Sequence, residues 1–236
     1  MKTMSEEKSS CNHKEHDKNS YCVSIVPIFN HLEAAELKEI ASTARSVSHP
    51  RGQMIYRPGE PSEGIYIVHK GSMRIFRESS GGKEQLVRIL GPGEFSGELA
   101  LFNESVHDAY AEALEPLEIC MISRESLQAF LLKYPQIALK MLAEFSSRLA
   151  TSEEQAARIA METVETRIAM YLAGQVEAWK NARIKLPMRR KDLASHLGTT
   201  PETISRKLAD FEAAGWIRQT GQRDIEVIDL EALLLV

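Results

Sequence analysis

The chain has 236 residues, 43% hydrophobic and 26% charged, with a formal net charge of −4, the balance of a water-soluble protein with room for two modest domains. No apolar run approaches a membrane span, the polar start "MKTMSEEKSS" has no apolar secretory core, and three cysteines, Cys11, Cys22 and Cys120, do not make a secreted disulfide framework, so a cytoplasmic address is expected. The charge is uneven: Arg183 to Arg223 holds nine Lys/Arg against four Asp/Glu, a surplus of five that suits a phosphate-binding module.

In chain order, residues 1–21 are a polar arm, expected to be weakly ordered unless something clamps it. The stretch "CNHKEHDKNSYC", Cys11 to Cys22, brings His13 and His16 between two cysteines. "VPIFNHLEAAELKEIASTA" predicts a short helix with Leu32, Leu37 and Ile40 on its apolar face and Asn30 as its cap. From Val47 to Ile122, short apolar pieces ("GIYIVHKG", "SMRIF", "QLVRIL", "LEICMI") alternate with glycine and proline punctuation. That texture predicts a jelly roll within a domain spanning 22–134. None of its glycines has the spacing of a dinucleotide or phosphate loop. A cupin-like metalloenzyme would need clustered ligands inside such a barrel. Only His69 and His107 lie in the β-region, without a His-x-His pair, so that alternative is weak and no enzyme is expected.

Pro135 to Leu172 contains no glycine and predicts helix. Ala138, Leu142, Phe145, Leu149, Ser152, Ala156 and Ile159 recur at steps of four and three, which predicts a dimer seam along a helix spanning 135–163. The alternative is that the stripe packs on the β-domain.

"MRRKDLASHLGTTPETISRKLADFEAAGWI", Met188 to Ile217, predicts a helix-turn-helix within a domain spanning 164–236. Leu193, Ala194, Leu197, Ile204 and Leu208 supply its core, Gly198 the turn, and Thr200 with Pro201 the start of the second helix. Glu202, Ser205 and Arg206 then occupy the exposed face of that start, where such side chains can read base edges in a major groove. Arg189, Arg190, Thr200, Lys207, Arg218 and Arg223 are candidate phosphate contacts, the last two on a β-hairpin wing, "GWIRQTGQRDIEVID".

At these motifs, "ETISRKL" together with "FSGELALF" (Phe95 to Phe102), the chain from about Cys22 onward resembles the CRP/FNR family of bacterial transcription regulators, and the reading helix is similar to that of the family's oxygen-responsive branch. The resemblance implies an α+β architecture: an N-terminal jelly roll (a double-stranded β-helix of the cyclic-nucleotide-binding type), a long dimerisation helix and a C-terminal winged helix-turn-helix. It also implies a homodimer on double-stranded DNA, with Glu202, Ser205 and Arg206 reading inverted TTGAT-type half-sites, and RNA polymerase as a partner. Family members that bind cyclic nucleotides carry an Arg after the Gly-Glu-Leu segment. Here His107 and Asp108 stand in that region, which argues against cyclic AMP, and Glu98 is expected to bond within a turn. Cys120 and Cys22 resemble in position cluster-ligating cysteines of the oxygen sensors, with His13, His16 and Cys11 nearby. An iron-sulfur cluster, another Cys/His-bound metal, a Cys22–Cys120 disulfide switch without metal, and a solvated tail with an inert Cys120 all stay open.

Overall fold

The computed structural model describes residues 23–82, 84–98 and 106–236. Cys11, His13, His16 and Cys22 lie outside the described residues, as do Leu99 to Phe102 of the "FSGELALF" segment. The chain divides into two compact units, with the main boundary inside its longest helix, between Ser147 and Arg148, and with Glu84–Leu86, the start of a first-unit strand, grouped with the second.

The first unit opens with α1 (Ala34–Thr43) and then builds two four-stranded antiparallel sheets. Strands β1 (Arg45–His49), β3 (Gly64–Lys70), β6 (Phe95–Ser96) and β8 (Leu117–Ser123) form one, in the order β1-β8-β3-β6. Strands β2 (Met54–Tyr56), β4 (Met73–Glu78), β5 (Glu84–Leu90) and β7 (Tyr110–Ala113) form the other, in the order β2-β7-β4-β5. Consecutive strands mostly sit in opposite sheets or are separated by a neighbour, so the chain winds as a jelly roll, in agreement with the turn-punctuated texture of the sequence. Tyr56, Val68, Met73, Leu90, Ala111 and Ile119 belong to one buried cluster. A second cluster joins Ile65, Ile67, Phe95 and Ile122 to Val23, Val26, Ile28 and Phe29, and to Leu37 and Ile40 of α1. The start of α1 differs from the expected cap at Asn30: the helix begins after Glu33, whose backbone N–H donates to the Glu36 carboxylate at 2.7 Å. A carboxylate three residues ahead competes well for this first-turn donor.

Helices α2 (Arg124–Lys133) and α3 (Pro135–Met161) follow. Continuous helix to Leu172, expected from composition, does not form. The chain breaks after Met161 and restarts as α4 (Val164–Trp179), with the Thr163 hydroxyl accepting from the Thr166 N–H at 3.1 Å. A threonine that can cap locally ends a helix that propensity alone would continue.

Along α3, Leu139, Leu142 and Leu149 are 67%, 59% and 60% exposed, and Ser152 and Ala156 are exposed with them. Phe145, half-buried, lies on the flank of this stripe. It packs against the β-roll core near Ile137 and Met141, because its step from Met141 falls on the buried face.

The second unit adds β9 (Arg183–Lys185), α5 (Arg190–His196), α6 (Pro201–Ala213), β10 (Ile217–Gln219), β11 (Asp224–Val227) and α7 (Leu230–Leu234). The strands form a small antiparallel sheet, order β10-β11-β9. Ile168, Leu172, Leu193, Ala194, Ile204, Leu208, Phe211 and Ile217 are buried, the apolar faces of three helices closed by a hairpin. Among the described residues, no helix is long and apolar enough to cross a membrane.

Candidate nucleic-acid interface

The pair α5–α6 is set by its turn. Gly198 adopts φ +66°, a left-handed conformation that favours glycine, and the Thr199 N–H donates to the Ala194 carbonyl at 2.9 Å. Thr200 then caps α6: its hydroxyl accepts from the Thr203 N–H at 3.3 Å, with Pro201 in the first helical turn. Ile204, Leu208 and Phe211 bury one face of α6. The opposite face of its first half carries Glu202, Ser205 and Arg206, all exposed, at the i, i+3, i+4 spacing that puts side chains on one surface. The Glu202 carboxyl is held below the usual carboxylate range by hydrogen bonds from its own backbone N–H and from Thr200, so it stays an acceptor at neutral pH. Arg206 makes no hydrogen bond or ion pair to another described residue. Its five donors are available to a partner outside the chain.

The structure separates the six candidate phosphate contacts. Arg223, at the wing tip, is exposed, and Arg218 is exposed and pairs with Glu226 at 3.1 Å. Thr200 is occupied as the α6 cap. Three more are engaged within the unit. Lys207 points its ammonium to Glu165 on α4 at 2.7 Å and to Asp210 at 3.6 Å, which holds it inside the unit. Arg189 pairs with the buried Asp192 at 3.0 Å as the residue preceding α5. Arg190 bridges the motif: its guanidinium donates to the Gln219 side chain at 2.5 Å, to the Gln222 carbonyl at 3.3 Å and to the Ser205 hydroxyl at 3.4 Å. Arg190 therefore fixes the wing and the reading face in one register. Sequence reasoning missed Gln219 and Glu212, which complete this tie: the Glu212 carboxylate accepts the Gln219 backbone N–H at 2.7 Å and its side-chain amide at 2.9 Å. Their separation by seven residues across a helix end has no short-range signature.

The β-roll holds a cavity of roughly 240 Å³ lined by Tyr56, Arg77, Arg88, Gly97, Glu98 and His107, among others. His107 and Asp108 take different environments. His107 is buried and stacks on Tyr56, ring centroids 3.7 Å apart, and burial pushes its imidazole below the ordinary histidine range. Asp108 instead pairs with Arg77. Glu98 reaches out of its turn to Arg88 on β5 at 2.9 Å. The guanidiniums at this cavity are thus matched by carboxylates of the same chain. Cys120 lies buried in β8, in the cluster that contains Val23 and Val26. Among the described residues no three His, Cys, Asp or Glu side chains converge as a metal site.

An effector-type jelly roll joined to a winged helix-turn-helix with a solvent-facing, donor-rich reading face defines a DNA-binding transcription regulator. Residues 46–134 match the cyclic nucleotide-binding domain family, and residues 166–235 match the Crp-like helix-turn-helix domain. The chain is 30% identical over 210 residues to the "Probable transcriptional regulator flp" of Lacticaseibacillus casei, covering 89% of this chain and 95% of that one. It is also 30% identical over 209 residues to the "Cyclic AMP receptor protein" of Thermus thermophilus, covering 89% and 94%. The structure of FixK2 from Bradyrhizobium japonicum superposes with a TM-score of 0.69 at 27% identity, covering 80% of this chain and 95% of that one. The chain belongs to the CRP/FNR family of transcription regulators.

Proposed function

We propose that this protein acts in the cytoplasm as a homodimeric regulator that reads an inverted repeat of TTGAT-type half-sites and works through RNA polymerase. The observation that carries the reading is the outer face of α6, where Arg206 is exposed and has no partner among the described residues, beside Glu202 and Ser205. An unpaired guanidinium can fork to guanine O6 and N7, and Glu202 can accept from cytosine N4. The exposed leucines of α3 support the dimer, since three large apolar side chains on one stripe of one helix gain by covering each other.

Fluorescence anisotropy on a duplex carrying the inverted repeat and on a scrambled duplex tests this reading. Arg206→Ala is expected to lose about 1–3 kcal/mol per half-site on the repeat and little on the scrambled duplex. Equal losses on both would remove α6 from base reading.

A second reading concerns the signal: redox or oxygen responsiveness through Cys22 and Cys120, with Cys11, His13 and His16 as further ligands if a metal takes part. It is supported by Cys120 sharing a buried cluster with Val23, the residue that follows Cys22 in the chain. Anaerobic purification, metal analysis and thiol counting before and after air test it. Unchanged thiols, no metal and unchanged DNA affinity in Cys22→Ser and Cys120→Ser would refute it.

A further inference from the structure

The second unit contains a cavity of roughly 160 Å³ that the DNA-reading role does not use, lined by Thr151, Gln155 and Arg158 of α3, Arg167 and Tyr171 of α4, and His196 of α5. Its floor is chemically unusual. Arg167 is only 8% exposed, yet no carboxylate among the described residues pairs with it. One guanidinium nitrogen, Nη1, donates to the Ile159 carbonyl at 3.3 Å, in the last turn of α3, while Nε has no partner. Among the described residues the one carboxylate lining the cavity, Glu154, is taken by Arg158 at 2.5 Å. Tyr171 Oη is likewise buried without a hydrogen-bond partner among the described residues. A buried cation needs a counter-charge, and the half-charge of a helix C-terminus compensates only part of it.

We propose that this cavity binds a small oxyanion, of phosphate or carboxylate chemistry, held by the Arg167 guanidinium with the Tyr171 hydroxyl as a second donor. The volume admits a few water-sized groups, enough for such an ion. Arg158, although paired, adds positive potential at the rim. His196 does not compete for the anion: burial keeps its imidazole below the ordinary range, and Gln155 donates to its backbone carbonyl at 2.8 Å. An anion here would join the last turns of α3 to α4 and to the end of α5, two residues before the Gly198 turn. The recognition helix starts three residues after that turn, so occupancy would stiffen its mounting.

The test is calorimetric titration of the full-length protein, in a buffer free of phosphate and carboxylate, with inorganic phosphate in one arm and acetate in the other. Saturable binding of at least one ion, one site per chain, is expected. Tyr171→Phe should weaken it by about tenfold, the loss of one hydrogen bond to a charged group, and Arg167→Lys by at least as much. Tyr171→Phe keeps the ring and the packing, so it reports even if the Arg167 variant fails to fold. Non-saturating heats in both arms would overturn the proposal. So would equal affinity in wild type and Tyr171→Phe, which would put the ion elsewhere, such as on the basic DNA face.

Discussion

At the scale of single residues, the interface separates arginines that reach out from those that hold the fold. Arg190 makes three hydrogen bonds joining α5, the wing and Ser205, so Arg190→Ala should destabilise the unit by about 1 kcal/mol, a typical net value for partly exposed bonds. Urea unfolding measures this, and proteolysis should cut the wing faster. The cations also differ in their effect on salt dependence. Arg223→Gln should lower the slope of log affinity against log salt by about one per half-site, the signature of a lost phosphate contact in each subunit. Lys207→Gln should leave the slope unchanged, because that ammonium is engaged by Glu165 and Asp210.

At the scale of elements, α3 serves two surfaces. Ile137, Met141 and Phe145 face the β-roll core, while Leu139, Leu142 and Leu149 face outward. Leu149→Glu places a charge where a second copy would pack, and sedimentation should show monomers. Phe145→Ala should leave the dimer intact and lower the melting temperature instead, since it opens a cavity beside the β-roll core. In the turn between α5 and α6, a Cβ on Gly198 would lie 3.3 Å from Ile159 and 3.4 Å from Arg167 Nη1, at a positive φ. Gly198→Ala should therefore cost about 1 kcal/mol or more and weaken DNA binding together with stability.

At the scale of the whole molecule, three histidines among the described residues are shifted in the same direction. His49, His107 and His196 are all pushed below the ordinary histidine range, chiefly by burial. The unfolded chain then binds more protons than the native one once pH falls below the unfolded value of about 6.5, so stability rises with pH there and is lost on acidification. The melting temperature should fall by several degrees from pH 7.5 to pH 5.5. His107→Gln should flatten that slope, and an unchanged slope would mean that His107 titrates normally.

The sequence by itself determined the order of the parts, the identity of the turn and the reading face. Glycine and proline between short apolar runs leave little alternative to a jelly roll, and Gly198, Thr200 and Pro201 act through local backbone chemistry that needs no distant partner. The proposed base-reading face was legible because helical spacing alone puts Glu202, Ser205 and Arg206 on one surface. What only the tertiary structure decided is which charges remain available and which apolar residues remain uncovered. Arg190, Lys207 and Arg206 look alike in sequence, yet the first two find acceptors on the wing and on α4, many residues away. His107 stacks on Tyr56, 51 positions earlier, and Arg167 is buried with no acid paired to it among the described residues. These outcomes depend on long-range approach and burial, which set the energy of a charge or a ring but leave no periodic trace along the chain.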